Sequence, residues 1–428
     1  MTAQKFNIYR FFFLVGRLSI YLIPFILSIL LTAAFMRATL YEPANPKSQE
    51  IFSFIVERGS SVKKVGQELV QQGLVKKTWT FPLIYRMHGQ QQKIQAGEYR
   101  ISPSMTPLEI LEKFIEGDVV YYGVTIPEGA TIKDLPELLE RTTLVSKDQA
   151  KNAIYNNKLM LKYGITSNSF EGYIFPDTYR FTRPTTAEEI ITKAIETGKG
   201  KITNEMASRW IDLGLIYHQI LTLASIIEKE AGNQQEKPKI SSVFHNRLRI
   251  GMPLQADPTV IYGLPNFNGN LTKADLQTPG PYNTYLNTGL PPTPICNPGL
   301  ESIKAALYPE DTEYLYFVAD GSGGHKFSAT LKEHNKAVQE YLRILRGDNS
   351  PTPVEQEQEK EKKEPEKKPE VVLQEAPTKK PIAPIITAPS KKPALSQIDP
   401  IKKSPGPAGN LPPAPAQGPS IEDVLRAQ

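Results

Sequence analysis

Two glutamates end the most apolar helical stretch of this sequence. Residues Tyr217–Gly232 read YHQILTLASIIEKEAG; the part from Ile220 to Ile227 is apolar on nearly all sides, and Glu228 and Glu230 come after it. A helix that is apolar all round is buried in a protein core. Carboxyl groups at the end of such a helix can exchange protons with a bound ligand, so these two residues are the first candidates for acid–base chemistry.

The helical positions of the two glutamates distinguish them. They stand two residues apart, about 200° around the helix, so only one can enter a given cleft. Glu228 shares its face with Leu221 and Ala224. Such small or apolar neighbours exclude water from a carboxyl group, which suits a general acid. The helical positions therefore favour Glu228 over Glu230, and two solvated acids at a helix end are the alternative.

A long irregular segment follows a second predicted helix, PKISSVFHNRLRIG. Residues 252–299 are rich in Gly, Pro, Asn, Thr and Tyr and show little periodicity. Segments of this length without regular structure are usually functional. Their amides, carboxylates and tyrosine rings are groups that hydrogen-bond to acetylated sugars and stack on them. The predicted substrate-binding residues are Gln255, Asp257, Tyr262, Tyr282, Asn283, Tyr285 and Asn297.

A second aromatic segment, SFEGYIFPDTYRF (Ser169–Phe181), carries Glu171 and Asp177. Aromatic rings with carboxylates occur in sugar-binding clefts, but aromatic residues at alternate positions also form the buried face of a strand. We expect core packing here in preference to direct substrate contact.

The elements around these candidates predict an α+β fold. SFIVERGSSVKKVGQELVQQGLV (Ser53–Val75) is repeated seventy residues later as GVTIPEGATIKDLPELLERTTLV (Gly123–Val145), and each copy reads as a strand, a glycine turn and a helix. Another strand and a helix with a Thr106–Glu109 capping box lie between the copies. These compact units resemble LysM-type glycan-binding modules, with a structural spacer as the alternative. Near the C-terminal end, a helix, two strands around GSGG and a last helix to about Leu345 complete the domain.

The N-terminal part predicts one membrane crossing. Nineteen uncharged residues, LSIYLIPFILSILLTAAFM at positions 18–36, separate Arg17 from Arg37. As a helix they span roughly 28 Å, close to the thickness of a bilayer core. Basic residues precede them, so the positive-inside rule places residues 1–17 in the cytoplasm and the rest outside a cytoplasmic (inner) membrane. A cleaved signal peptide is disfavoured because the run exceeds a usual signal core and no clean A-x-A site follows.

Composition excludes several classes. The net charge of +5 is small, with much of the Lys and Arg beside Glu, so no nucleic-acid partner is expected. Cys296 is the one cysteine, which excludes an intramolecular disulfide. Five histidines without a spacing such as H-E-x-x-H predict neither a metal nor another cofactor. Residues 347–428, rich in Pro, Lys and Glu, predict a disordered tail.

Four motifs carry a family resemblance: ASIIEKEAG, FHNRLRIGMPLQADPTVIYG, YNTYLNTGLPPTPICNPG and YLYFVADGSGGHKFSATLKEHN. Their order and length are similar to those of the YceG-like family of endolytic murein transglycosylases. The resemblance implies that Glu228, the first glutamate of the S-I-[IV]-E-K-E motif, is catalytic. It implies a LysM-like region (50–146) before a catalytic domain (147–346), peptidoglycan glycan strands as substrate, and wall synthases as partners.

The resemblance also implies a mechanism. Glu228 would protonate the glycosidic oxygen between N-acetylmuramic acid and N-acetylglucosamine, and then take the proton of the muramyl 6-hydroxyl as it closes a 1,6-anhydro ring. Two alternatives remain open. One is a hydrolase that uses Glu228 with Asp257 and leaves reducing ends. The other is a wall-binding scaffold that does not cut.

Overall fold

The computed structural model describes residues 8–89 and 93–346. Residues 1–7 of the predicted cytoplasmic segment and the predicted disordered tail, 347–428, lie outside the described residues. The helices are α1 (Ile8–Tyr41), α2 (Val62–Gln71), α3 (Thr80–Ile84), α4 (Pro107–Glu116), α5 (Leu135–Glu140), α6 (Lys147–Ile154), α7 (Asn157–Lys162), α8 (Ala187–Lys201), α9 (Asn204–Asp212), α10 (Tyr217–Glu230), α11 (Lys237–Arg249), α12 (Asp257–Gly263), α13 (Lys273–Leu276), α14 (Leu300–Leu307) and α15 (Leu331–Arg346). The strands are β1 (Phe52–Val56), β2 (Gly97–Ile101), β3 (Tyr122–Ile126), β4 (Asp177–Phe181), β5 (Tyr316–Ala319) and β6 (His325–Ser328).

The described strands form three two-stranded sheets, β1–β2, β3–β4 and β5–β6. Strands β1 and β2 are antiparallel, with Phe52 opposite Ile101. Strands β5 and β6 are also antiparallel, with Tyr316 opposite Ser328. Helices and small antiparallel sheets in one chain confirm the predicted α+β class.

The described chain divides into two compact units. The first contains the residues up to Val124 together with Leu139–Ser146 and Tyr179–Ala187. The second contains Thr125–Leu138, Lys147–Thr178 and the residues from Glu188 onward.

Helix α1 is the apolar helix predicted near the N-terminus. Its segment Ser19–Ala38 has 20 residues, a mean hydropathy of 2.2 and no buried side chains in the window that defines it. Its length and composition are enough to cross a membrane, and most of the predicted span at positions 18–36 lies within this segment.

The first unit builds its core between the β1–β2 sheet and helices α2, α3 and α4. Tyr99 and Phe114 pack edge to face with centroids 4.6 Å apart, and Phe54 stacks on Phe114 at 5.7 Å. Helix α4 begins at the predicted capping box, in which Thr106 and Glu109 each accept a hydrogen bond from the other's backbone N–H. It ends at Gly117, which adopts a left-handed conformation with φ 73°.

The two copies of the repeat have the same local order of elements. Strand β1 leads through Gly59, at φ 75°, to helix α2, whose N-cap Ser61 accepts a hydrogen bond from the Lys64 N–H. Strand β3 leads through Gly129, at φ 74°, to helix α5, which is four residues shorter than α2. The predicted strand–turn–helix unit is therefore present twice, and its likeness to a glycan-binding module stays a prediction.

The second unit is organised around helix α10. All eight residues from Ile220 to Ile227 are buried, as the apolar sequence predicted. Helices α9, α11, α12 and α14 pack against α10. The helix ends at Glu230 because Ala231 takes an extended conformation with φ −72° and ψ 120°. The glutamates therefore stand where the buried helix leaves the core.

The irregular segment 252–299 contains two short helices, α12 and α13, that its sequence did not indicate. They have seven and four residues, too few for a helical periodicity to stand out. In the segment Ser169–Phe181 the strand is limited to Asp177–Phe181, while Phe170 and Ile174 are fully buried before it. The prediction that this segment packs in the core is confirmed for Phe170 and Ile174.

Candidate active site

The carboxylate of Glu228 lies at the meeting point of three helices in the second unit. Its side chain is 10% exposed. Lys237 Nζ, at the start of α11, donates to both carboxylate oxygens at 3.2 Å. The N–H of Gly299 and the hydroxyl of Ser302, in the first turn of α14, donate to Oε2 at 2.9 Å and 2.7 Å. Every described polar partner of this carboxylate is a hydrogen-bond donor.

The two oxygens of Glu228 are not equivalent. Oε2 accepts from Gly299, Ser302 and Lys237, whereas Oε1 accepts from Lys237 alone among the described residues. Because a carboxylate oxygen has two lone-pair directions, Oε1 keeps one of them available. Oε1 is therefore the atom that can exchange a proton with a ligand.

Local sequence explains each donor. Gly299 is the N-cap of α14, and the first N–H groups of a helix have no intrahelical acceptor, so they carry partial positive charge. Ser302 follows within the first turn and is fully buried. Lys237 is 4% exposed, so its ammonium group is removed from water and needs the carboxylate as a partner.

A pair of contacts between Glu236 and His325 fixes the start of α11. Glu236, the residue before Lys237, accepts from the backbone N–H of His325 at 2.8 Å and contacts its Nδ1 at 2.8 Å. His325 begins strand β6, so the β5–β6 hairpin is tied to the chain next to the lysine. This contact limits how far Lys237 can move from Glu228.

Glu230 lies in a different environment from Glu228, as its position on the helix predicted. Burial, with a contribution from the charge of Asp257, raises the pKa of Glu230 to about 8, while Arg247 opposes the shift. Asp257 Oδ1 accepts from the Tyr285 hydroxyl at 2.6 Å. The guanidinium of Arg247 donates to the carbonyl of Leu254 at 2.8 Å. Asp257 is thus a neighbour of Glu230 and Tyr285.

A buried carboxyl group, Glu171, connects two predicted features. It is 1% exposed and accepts from the Tyr262 hydroxyl at 2.9 Å and from the Ile132 N–H at 3.2 Å. Burial raises the pKa of Glu171 to about 7, although both hydrogen bonds oppose the shift. Glu171 therefore orients Tyr262, whose ring packs edge to face on Tyr282 with centroids 5.0 Å apart.

The predicted substrate-binding residues fall into two groups. Gln255 and Asp257 are exposed, and Tyr262, Tyr282 and Tyr285 are partly exposed. Asn283 and Asn297 are buried, and their amides are engaged by the backbone. The Asn283 amide donates to the carbonyls of Leu276 and Thr278, at 3.0 Å and 2.8 Å.

Asn297 holds the glycine turn of the second repeat copy. Its side chain donates to the Ala130 carbonyl at 2.9 Å, and its backbone accepts from the Gly129 N–H at 2.9 Å. A Cβ placed on Gly129 would lie 3.8 Å from Cγ of Glu228. Asn297 thus fixes a turn that packs against the side chain of Glu228.

The sequence did not indicate the donors around Glu228. Lys237 is nine residues from Glu228, and Ser302 is in another helix, so no spacing rule joins them. The signal that was available is weak: Lys237 begins an apolar helix face and Gly299–Ser302 begins a helix, where anions are often bound.

Two further observations concern the metal-ligating side chains and the cysteine. Among residues 8–89 and 93–346, no group of three or more His, Cys, Asp and Glu side chains is placed to hold a metal ion. Cys296 is fully buried, and its thiol lies 3.4 Å from the Ser225 carbonyl. Burial raises the pKa of this thiol, which disfavours the thiolate.

Removing Lys237 tests the buried ion pair. We expect Lys237→Met to lower the free energy of unfolding by about 3 kcal/mol, because it leaves an uncompensated carboxylate in a largely water-free site. Lys304→Met is the matched control; its pair with Glu301 is about half exposed, at 47% and 48%, and should contribute less than about 0.5 kcal/mol. Thermal and urea unfolding measure the free energy of unfolding of both variants.

A double variant checks the cause of the effect. Adding Glu228→Gln to Lys237→Met should restore part of the lost free energy of unfolding. Equal effects of Lys237→Met and Lys304→Met would contradict the buried ion pair.

The pH dependence of stability tests the burial of Glu171. Because its pKa is higher in the folded chain than the ordinary 4.5, the folded state binds the extra proton. The stabilisation is complete below about pH 4.5 and is lost as the pH rises towards 7, at up to about 1.4 kcal/mol per pH unit. Glu171→Gln should flatten this decline, and the exposed Glu205→Gln should not. An unchanged slope in Glu171→Gln, measured by unfolding between pH 5 and 8, would rule the burial out.

Comparison with known proteins relates these features to a family. The YceG-like family model matches residues 54–340. An endolytic murein transglycosylase of Bacillus subtilis (strain 168) is 35% identical over 319 residues, which are 71% of this chain and 88% of that protein. An endolytic murein transglycosylase of Streptococcus pneumoniae (serotype 2, strain D39) is 28% identical over 332 residues, which are 70% of this chain and 60% of that protein.

A solved structure is also similar. The crystal structure of a yceG-like protein of Listeria monocytogenes is 33% identical in sequence, with a TM-score of 0.47, and the match covers 68% of this chain and 99% of that chain. The chain belongs to the YceG-like family.

Proposed function

We propose that this protein is a membrane-anchored endolytic peptidoglycan lytic transglycosylase. It cleaves the bond between N-acetylmuramic acid and N-acetylglucosamine inside glycan strands and leaves 1,6-anhydro-N-acetylmuramic acid ends. The observation that carries the proposal is the Glu228 carboxylate, held by three donors at the end of a buried helix, with one lone pair of Oε1 available. Membership of a family whose curated relatives are named endolytic murein transglycosylases supports the same reaction.

Glu228 performs both proton transfers in this proposal. Protonated at Oε1, it gives its proton to the glycosidic oxygen, and the bond to C1 of the muramyl residue breaks. The carboxylate that remains is stabilised by Lys237, Gly299 and Ser302. It then removes the proton of the muramyl 6-hydroxyl as that oxygen bonds to C1. The nucleophile belongs to the substrate, so its attack is intramolecular and a second protein nucleophile is not required.

The irregular segment supplies the sugar contacts in this proposal. We assign direct contact to the exposed or partly exposed members of the predicted set, Gln255, Asp257, Tyr262, Tyr282 and Tyr285. Asn283 and Asn297 would act through the loops that their buried amides hold. Tyrosine rings that pack against each other, as Tyr262 and Tyr282 do, offer rigid faces for stacking on sugars.

The proposed location follows from helix α1. We place its apolar segment in the cytoplasmic membrane, with residues 1–17 in the cytoplasm and the second unit outside, because basic residues precede the segment. The repeat region 50–146 would hold glycan near the membrane. Such tethering would favour newly made strands and bring the enzyme close to wall synthases, which we propose as partners.

Substitution of either glutamate of the motif tests the catalytic assignment. Glu228→Gln should lower the rate at which the full-length protein in detergent releases soluble fragments from purified wall by about a thousandfold, because an amide cannot exchange the proton. Glu230→Gln, two residues along the same helix, should keep more than a third of the rate. Full activity in Glu228→Gln would exclude it as the acid, and loss in Glu230→Gln alone would transfer that role to Glu230.

A further inference from the structure

The carboxylate of Glu128 lies against the backbone of Gly299. A Cβ placed on Gly299 would lie 2.0 Å from Oε1 of Glu128 and 2.3 Å from its Cδ. The φ of Gly299 is −72°, which any residue adopts, so backbone conformation does not require glycine there. The space beside the Gly299 Cα is instead filled by the carboxylate of Glu128.

This contact places a second carboxylate beside Glu228. The Gly299 nitrogen is 2.9 Å from Glu228 Oε2, and the Cβ position of a residue is roughly 2.5 Å from its own nitrogen. With the 2.0 Å from that Cβ position to Glu128 Oε1, these lengths limit the separation of the two carboxylate oxygens to roughly 7.4 Å. Glycosidases place their two catalytic carboxyl groups about 5–9.5 Å apart, on either side of the bond that they cleave.

The Glu128 backbone is fixed while its carboxylate is free. The turn that carries it is pinned by two backbone hydrogen bonds, from Gly129 N–H to the Asn297 carbonyl at 2.9 Å and from Asn297 N–H to the Ala130 carbonyl at 2.8 Å. Glu128 itself is exposed and has no hydrogen bond or ion pair with the residues that the structure describes. The backbone of the turn therefore places Glu128 near Glu228, and its carboxylate is available to a ligand.

We propose that Glu128 is a second catalytic carboxylate of this site. As the glycosidic bond breaks, positive charge develops at the anomeric carbon, and the negative charge of Glu128, close to Glu228, stabilises it. No covalent bond to Glu128 forms, because the muramyl 6-hydroxyl attacks the anomeric carbon and Glu228 handles the protons. The proposal rests on the proposed function, and it assigns this role to the turn of the second repeat copy.

Charge removal at Glu128 is the test, in the full-length protein with uncross-linked glycan strands as substrate. Glu128→Gln should lower kcat about a hundredfold with KM changed less than twofold, because the charge acts on the transition state and not on bound substrate. Its thermal unfolding midpoint should match that of the wild-type protein, since the side chain has no partner to lose. Glu128→Asp should recover part of the lost kcat. Glu301→Gln, which removes an exposed negative charge from the first turn of α14, should change kcat less than twofold.

The outcomes separate this proposal from the one on which it rests. Wild-type protein that releases no fragments overturns both. An active wild type with a Glu128→Gln kcat within threefold of it overturns the role of Glu128 alone. A rise in KM with kcat unchanged would make Glu128 a binding residue, and this too contradicts the proposal.

Discussion

The carboxylate of Glu228 is largely removed from water. The free-energy cost of burying its charge explains how the residues around it in the second unit are arranged. An ionised group in such a place needs donors, and the chain supplies them from α11 and α14, two helices distant from each other in sequence. Helix α10 is buried along eight consecutive residues, which fixes the position of the carboxylate relative to both helices. Packing of the apolar helix therefore positions the acid, and loss of Lys237 would leave the carboxylate without an ionic partner.

Several contacts that are far apart in sequence hold the residues around the Glu228 carboxylate in place. The Glu236–His325 contact holds the residue next to Lys237, and Asn297 holds the turn that packs against Glu228. Gly299 contacts both carboxylates, since its N–H donates to Glu228 and the Glu128 carboxylate lies beside its Cα. Each contact is local, but together they fix the surroundings of one side chain from four parts of the chain.

The sequence predicted the helices and strands of this site better than the tertiary contacts between their side chains. The buried helix α10, the capped helix α4 and the β5–β6 hairpin have strong local signals, namely uniform apolarity, a capping box and a glycine turn between two strands. Lys237 and Ser302 gave no such signal, because they meet Glu228 only through tertiary packing. Asn297 was predicted as a substrate contact from its residue type alone, and its burial could not be read from a loop without periodicity. Helices α12 and α13 were not predicted because seven and four residues are too few to show a helical periodicity.

In the proposed reaction one carboxylate performs both proton transfers, because the substrate supplies the nucleophile. Mass spectrometry of the glycan ends released in water enriched in heavy oxygen tests it most directly. We expect 1,6-anhydro ends that contain no heavy oxygen, since the attacking oxygen comes from the sugar. Reducing ends that carry one heavy oxygen would contradict it, because they would show that water attacks and that a hydrolase mechanism, such as one using Glu228 with Asp257, operates instead.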